Sequence, residues 1–60
     1  MQTGILLSDH KLKKFRKEIK INSRCSKILI NINGNRAEYY NFDDDCFYKL
    51  DIYIAKKSIK

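Results

Sequence analysis

The best candidates for binding a charged partner are six side chains with basic nitrogen atoms near the start of the chain. They are His10, Lys13, Lys14, Arg16, Lys17 and Lys20. On a helix they would project away from an apolar stripe formed by Leu12, Phe15 and Ile19. Such a surface suits phosphates or acidic proteins, because each neutralised phosphate releases counterions. A solvated helix face is the alternative, but such faces usually mix acids with bases, and only Glu18 interrupts this one.

The basic residues are concentrated in the first part of the chain. Residues 1–36 hold nine Lys or Arg against two acidic residues, a net charge of +7, whereas residues 37–60 have a net charge of −1. The whole chain of 60 residues carries +6. This segregation would orient a charged partner and steer its approach.

Aromatic residues form a second group of candidate contacts. Five of them are predicted to form a protein interface: Tyr39, Tyr40, Phe47, Tyr48 and Tyr53. Side chains alternate across a sheet, so two consecutive aromatics cannot both face a covering helix, and some must lie on the outer face. Tyrosine is enriched in protein interfaces, although rings on a sheet also stack unpaired bases or simply pack in a small core. Three aspartates at 43–45 would repel a phosphate backbone, which favours a protein partner for this surface.

Catalytic and metal-binding chemistry has little support in the sequence. The chain has one histidine, two isolated glycines and no Ser/His/Asp arrangement with a recognisable context. The aspartates at 43–45 lack the spacing of a calcium loop and are typical of a solvated turn. Cys25, Cys46 and His10 have no recognised zinc spacing. We therefore expect a non-enzymatic protein without a cofactor or metal.

The elements that would position these residues begin with a helix predicted over 9–21. Ser8 is a suitable N-cap, and Leu7 with Leu12 matches a hydrophobic staple. Lysines suit the C-terminal end, and Asn22 is an acceptable stop. The alternation of apolar and charged residues over 14–21 would also suit a strand, but the capping signals favour the helix.

The remainder of the sequence predicts strands. Alternating isoleucines at 28, 30 and 32 precede Asn33-Gly34, a strong hairpin signal, and residues 36–42 form the returning strand. The longest alternation predicts a third strand over 46–55, followed by a frayed basic tail over 55–60. Residues 5–7 are either a short edge strand or a lead-in. We predict a single α+β domain over 1–60, with one N-terminal amphipathic helix packed on a three-stranded antiparallel β-meander.

Length and cysteine usage limit the other possibilities. No apolar run exceeds four residues, far below the roughly 18 that span a bilayer, so we expect no membrane segment and an intracellular, cytoplasmic location. Cys25 and Cys46 are each predicted to open a strand, at positions separated by two strand spacings. This separation, roughly 9.6 Å, exceeds the reach of a disulfide, and we expect free thiols.

These observations favour a small non-catalytic inhibitor or modulator that binds a host nucleic-acid-processing or defence protein complex. The abundance of Lys, Ile and Asn indicates an AT-rich genome, such as that of a low-GC bacterium or its phages, and we expect the inhibitor to be encoded by a phage or mobile element. Direct DNA or RNA binding through the lysine-rich helix face is the alternative. A third possibility is a structural homo-oligomer, such as a homodimer, in which an exposed strand edge pairs with the same edge of a second copy.

Overall fold

The computed structural model describes residues 3–60 as two helices and four strands. In chain order these are β1 (Thr3–Leu6), α1 (Asp9–Ile19), β2 (Ile28–Asn33), β3 (Arg36–Asn41), β4 (Cys46–Leu50) and α2 (Ile52–Ser58). The strands form one antiparallel sheet in the order β1-β2-β3-β4. The α+β class and the meander of β2, β3 and β4 are therefore confirmed. The prediction of three strands and one helix is wrong, because β1 and α2 are additional elements.

The fourth strand, β1, is the short apolar segment near the start of the chain. It pairs with β2, so that Ile5 lies opposite Ile30 and Leu6 opposite Leu29. Gly4 permits this close approach, because a Cβ atom at that position would lie only 3.1 Å from the Asn31 Oδ1 atom. A strand this short depends on its partner rather than on its own periodicity.

The helix predicted near the start of the chain is confirmed as α1, which ends two residues earlier than expected. Ser8 is the N-cap, and its hydroxyl oxygen accepts a hydrogen bond from the Lys11 backbone N–H at 3.3 Å. Leu7 and Leu12 are both buried in the same cluster, as expected for a hydrophobic staple. Lys20 ends the helix in a left-handed conformation with φ of 52°, before the predicted stop at Asn22.

The strand predicted over 46–55 and the frayed tail over 55–60 are both wrong. The strand stops at Leu50, and Asp51 caps α2 by accepting a hydrogen bond from the Tyr53 backbone N–H at 2.8 Å. Ala55 is fully buried, with Ile52 and Ile59 packed around the same core. These apolar residues recur at helical spacing, so the segment packs on the sheet instead of continuing it.

The sheet has one face that the helices cover and one that they leave open. The covered face carries Ile28 and Ile30, which have no exposed surface, and Phe15 of α1 packs onto it. We call the other side the open face. Cys25, predicted to open a strand, instead lies in the loop before β2, where it is buried in the core. The Asn33-Gly34 hairpin is confirmed, with Gly34 at φ of 63°.

Candidate binding surfaces

The two helices lie side by side on the covered face and form one layer, which we call the helical layer. Two contacts join them along their exposed sides. The Lys57 Nζ atom lies 3.5 Å from the Glu18 carboxylate, and the Lys11 ammonium group donates a hydrogen bond to the Ile59 carbonyl at 3.1 Å. Their lysines therefore belong to a single surface.

The helical layer carries the whole formal net charge of the protein. Residues 8–20 have six basic and two acidic side chains, a net charge of +4, and residues 51–60 have three lysines and one aspartate, a net charge of +2. The four basic and four acidic side chains of residues 21–50 cancel. In the fold, the net positive charge thus lies on the helical layer, and the rest of the protein is neutral. This differs from the sequence, where the positive charge was assigned to the first part of the chain.

A groove of about 360 Å³ runs between α1 and α2 and gathers basic side chains from both helices. The charged or titratable residues that line it are His10, Lys11, Lys14, Glu18, Lys57 and Lys60. Sequence reasoning missed the lysines of α2 because it placed them on a frayed tail. The N-cap Asp51, followed by apolar residues at helical spacing, is the signal that would have placed them on a helix.

All six basic residues predicted from the sequence are exposed on the helical layer. His10 and Lys14 line the groove towards α2, whereas Lys13 and Arg16 face a second groove on the other side of α1, beside Cys25. Lys17 and Lys20 are exposed in the last turn and at the C-cap. The predicted cluster is therefore a continuous face of α1, extended by α2.

The five predicted interface aromatics do not form one surface. Tyr39 and Tyr48 stack at 5.0 Å between ring centroids on the covered face, where Tyr39 also meets Phe15 edge-on at 5.3 Å. Tyr40 and Phe47 contact each other on the open face at 4.8 Å. The remaining residue lies on α2 and is 82% exposed: Tyr53. The predicted alternation of neighbouring aromatics is confirmed, but the residues are divided among three places.

The open face carries an apolar row that crosses all four strands. Each strand contributes one residue to this open-face row, and the pairing places them in line: Leu6, Leu29, Tyr40 and Phe47. Leu6 is 52% exposed and Phe47 is 60% exposed. Phe42 extends the row and holds the Lys27 ammonium group 5.3 Å from its ring centroid. Sequence reasoning did not identify the leucines, since only strand register aligns them with the aromatics.

The aspartates at 43–45 stabilise the turn before β4. Asp43 accepts hydrogen bonds from the Ser26 hydroxyl and backbone N–H, at 2.6 and 3.0 Å, and these bonds lower the pKa of its carboxyl. Asp44 accepts a hydrogen bond from the Tyr48 hydroxyl, which raises the pKa of Tyr48 to about 12. Asp45 accepts one from Tyr40, whose pKa is also raised. Within residues 3–60 no group of three potential ligands is placed to hold a metal ion.

The two cysteines have free thiols, as expected. Cys25 is buried and Cys46 is exposed. Burial is the main cause that raises the pKa of the Cys25 thiol, so it behaves as a small core residue.

Comparison with known proteins identifies no relative. No protein-family model, curated protein or solved structure matches the chain. In the part of the chain that the structure describes, neither helix is long and apolar enough to cross a membrane.

Proposed function

We propose that this is a small non-catalytic protein that binds the phosphate backbone of nucleic acid through its helical layer. The observation that supports this proposal is that the net charge of +6 resides on the two helices, whereas the rest of the chain is neutral. A phosphate backbone binds such a concentration of cations favourably, because binding releases its condensed counterions. The intracellular location expected from the sequence belongs to the same proposal.

The magnitude of the charge sets the expected salt dependence. Each neutralised phosphate of a duplex contributes about 0.9 to the slope of log K against log salt concentration, so the nine Lys and Arg residues of the helical layer limit the slope to about −8. Phosphate contacts carry no sequence information. We therefore expect binding that is steeply dependent on salt and weakly dependent on sequence.

Fluorescence anisotropy with a labelled duplex of random sequence tests the proposal. Replacing Lys14 and Lys60 by Gln removes one groove lysine on α1 and one that follows α2, and should make the salt slope less steep by about 1.8. The matched control replaces Lys27 and Arg36 by Gln. These residues are on the open face, so the control loses the same net charge from the opposite side of the sheet.

The outcomes separate a binding surface from a general charge effect. The proposal predicts that the control keeps the wild-type slope. Equal changes in both double variants would contradict a specific role of the helical layer. Absence of binding to duplex and single-stranded probes at low salt would overturn the proposal.

A second candidate function is the docking of a protein, and the open-face row favours it. This row exposes leucine and aromatic side chains beside Phe42, which is itself 43% exposed. Contiguous exposed apolar residues are typical of protein-binding sites. In this function the chain is an inhibitor or modulator, encoded by a phage or mobile element, of a host nucleic-acid-processing or defence complex.

Affinity purification from native host cells, with a nuclease-treated sample in parallel, tests the second function. Replacing Leu6 and Phe42 by Ser should abolish recovery of a protein partner that survives nuclease treatment. Tyr53→Ser is the control, because Tyr53 is an even more exposed aromatic residue and lies outside the open face. Recovery that depends on Tyr53 but not on the open-face row would refute this assignment.

A further inference from the structure

The edge strand β4 is unusually exposed for a strand rich in apolar residues. It pairs with β3 along one edge, and four of its five residues are exposed. Phe47 projects from the open face, and Tyr48 projects from the covered face, where it stacks on Tyr39 and keeps 38% of its surface exposed. A strand with an unpaired edge and aromatic side chains on both faces is a template for further strand pairing.

The side chains of this edge are complementary to themselves. On the open face, Phe47 lies between a basic and an acidic residue. Lys49 is the next residue of β4 on this face. Asp45 is in the turn before β4 and accepts a hydrogen bond from Tyr40. If a second copy of β4 lies antiparallel with the two-fold axis at Phe47, the two Phe47 side chains are directly opposite each other, and cross-strand aromatic pairs are stabilising. Asp45 lies just before the strand, in a turn with φ of 56°, so this arrangement brings its carboxylate next to Lys49 of the other copy without making it part of the strand ladder.

We propose that two copies of the protein associate by antiparallel pairing of β4 with β4, centred on Phe47. The four strands of each copy then form one continuous sheet of eight. Two reciprocal ion pairs between Asp45 and Lys49 fix the register, and the open-face rows of the two copies meet end to end at Phe47. The occupant of the edge is thus a second copy of this chain.

The other edge of the sheet lacks these features. β1 contains Gly4 and no charged residue, and it has only four residues. A strand of this kind specifies pairing register weakly. Charge complementarity therefore assigns the interface to β4 rather than to β1.

The pairing has a consequence for the helical layer. A two-fold axis perpendicular to the sheet keeps both helical layers on the same side of the eight strands. The dimer would then present twice the cationic surface of one chain in one direction. Association itself is measured without nucleic acid, so its failure would leave the proposed phosphate binding untouched.

Sedimentation equilibrium of the full chain tests the association. We expect a concentration-dependent species of twice the 7.2 kDa chain mass. Lys49→Glu should weaken association about 10- to 30-fold, because it turns both ion pairs into repulsions. Arg36→Glu is the matched control, since it makes the same charge change on the open face of the neighbouring strand β3, outside the edge that pairs.

A mixing experiment separates the ion pairs from any damage to the fold. Lys49→Glu also places two acids opposite each other within one chain, because Lys49 pairs with Glu38 across β3 and β4. An Asp45→Lys chain mixed with a Lys49→Glu chain restores both interchain pairs but leaves that internal repulsion in place. We expect the mixture to associate more tightly than either variant alone.

Three results would overturn the proposal. One is a monomer at all concentrations up to about 1 mM, the weak limit of specific association. Another is equal weakening by Lys49→Glu and Arg36→Glu. The third is a mixture that associates no better than its components while circular dichroism shows both folded.

Discussion

Replacement of Phe15 by Leu tests the packing that holds the helical layer on the sheet. The Phe15 side chain is 1% exposed, and its ring meets Tyr39 edge-on with centroids 5.3 Å apart. Loss of that aromatic contact costs about 0.5–1.5 kcal/mol, and the incompletely filled site brings the total to about 1–3 kcal/mol. A chain of 60 residues has a free energy of unfolding of about 3–9 kcal/mol. The variant should therefore fold with clearly reduced stability.

The same exchange on the other side of the sheet provides the control. Phe47 is 60% exposed on the open face, so Phe47→Leu should change the free energy of unfolding by no more than about 0.5 kcal/mol. Urea denaturation followed by circular dichroism measures both values, at a protein concentration low enough to keep the chain monomeric. Phe15→Ala should cost about 3–5 kcal/mol, a larger loss than Phe15→Leu causes.

The comparison between the two phenylalanines is decisive for the layer arrangement. If Phe47→Leu destabilised the protein as much as Phe15→Leu, the helices could not cover only one face. Equal and small costs at both sites would show that α1 does not pack on the sheet at all. Either result would remove the basis for a helical layer opposite an open face.

Three further predictions concern the turns and caps. The pKa of Tyr48 is raised from 10 to about 12 by its hydrogen bond to Asp44, so its stabilising contribution is present below pH 10 and lost as the pH rises through 12. Asp44→Asn should lower the pH of its ionisation in a tyrosinate absorbance titration. Lys20→Gly should raise the free energy of unfolding by about 0.5–1 kcal/mol in urea titrations, because the residue has φ of 52°. Gly34→Ala should lower the free energy of unfolding by about 1 kcal/mol, because Gly34 also has a positive φ. Nothing lies within 4 Å of the added methyl group, so steric clash does not contribute. An unchanged free energy of unfolding would contradict the left-handed turn.

Local signals allowed the sequence to predict α1 and the central hairpin. The Ser8 cap requires only nearby backbone N–H groups, and Asn33-Gly34 requires only tolerance of positive φ. These features depend on a few consecutive residues. They are therefore readable before any tertiary contact is known.

The remaining elements depend on contacts between distant residues. The apolar residues of 46–54 satisfy a two-residue period, and those at 52, 55 and 59 satisfy a helical one, so periodicity alone could not decide where the strand ends. The N-cap at Asp51 and the burial of Ala55 against the sheet decide it. Pairing with β2 similarly defines β1, which is too short to show a period of its own.

The candidate surfaces follow the same division. The basic face of α1 was predictable, since helical periodicity places its six residues together. The lysines of α2 and the open-face row were not predictable from the sequence. The position of the lysines depends on a helix, and the alternation of apolar residues in this segment indicated a strand instead. The open-face row depends on strand register, which aligns Leu6 with Phe47 across the whole sheet.

We propose above all that the cations of α1 and α2 form one binding surface on the side opposite the open face. Titration of the isotope-labelled protein with a short duplex at low salt, followed by amide chemical shifts, measures this directly. We predict that the largest shifts occur in residues 10–20 and 56–60, with the open-face row unchanged. The largest shifts at Leu29, Tyr40 and Phe47, with α1 and α2 unaffected, would contradict the claim.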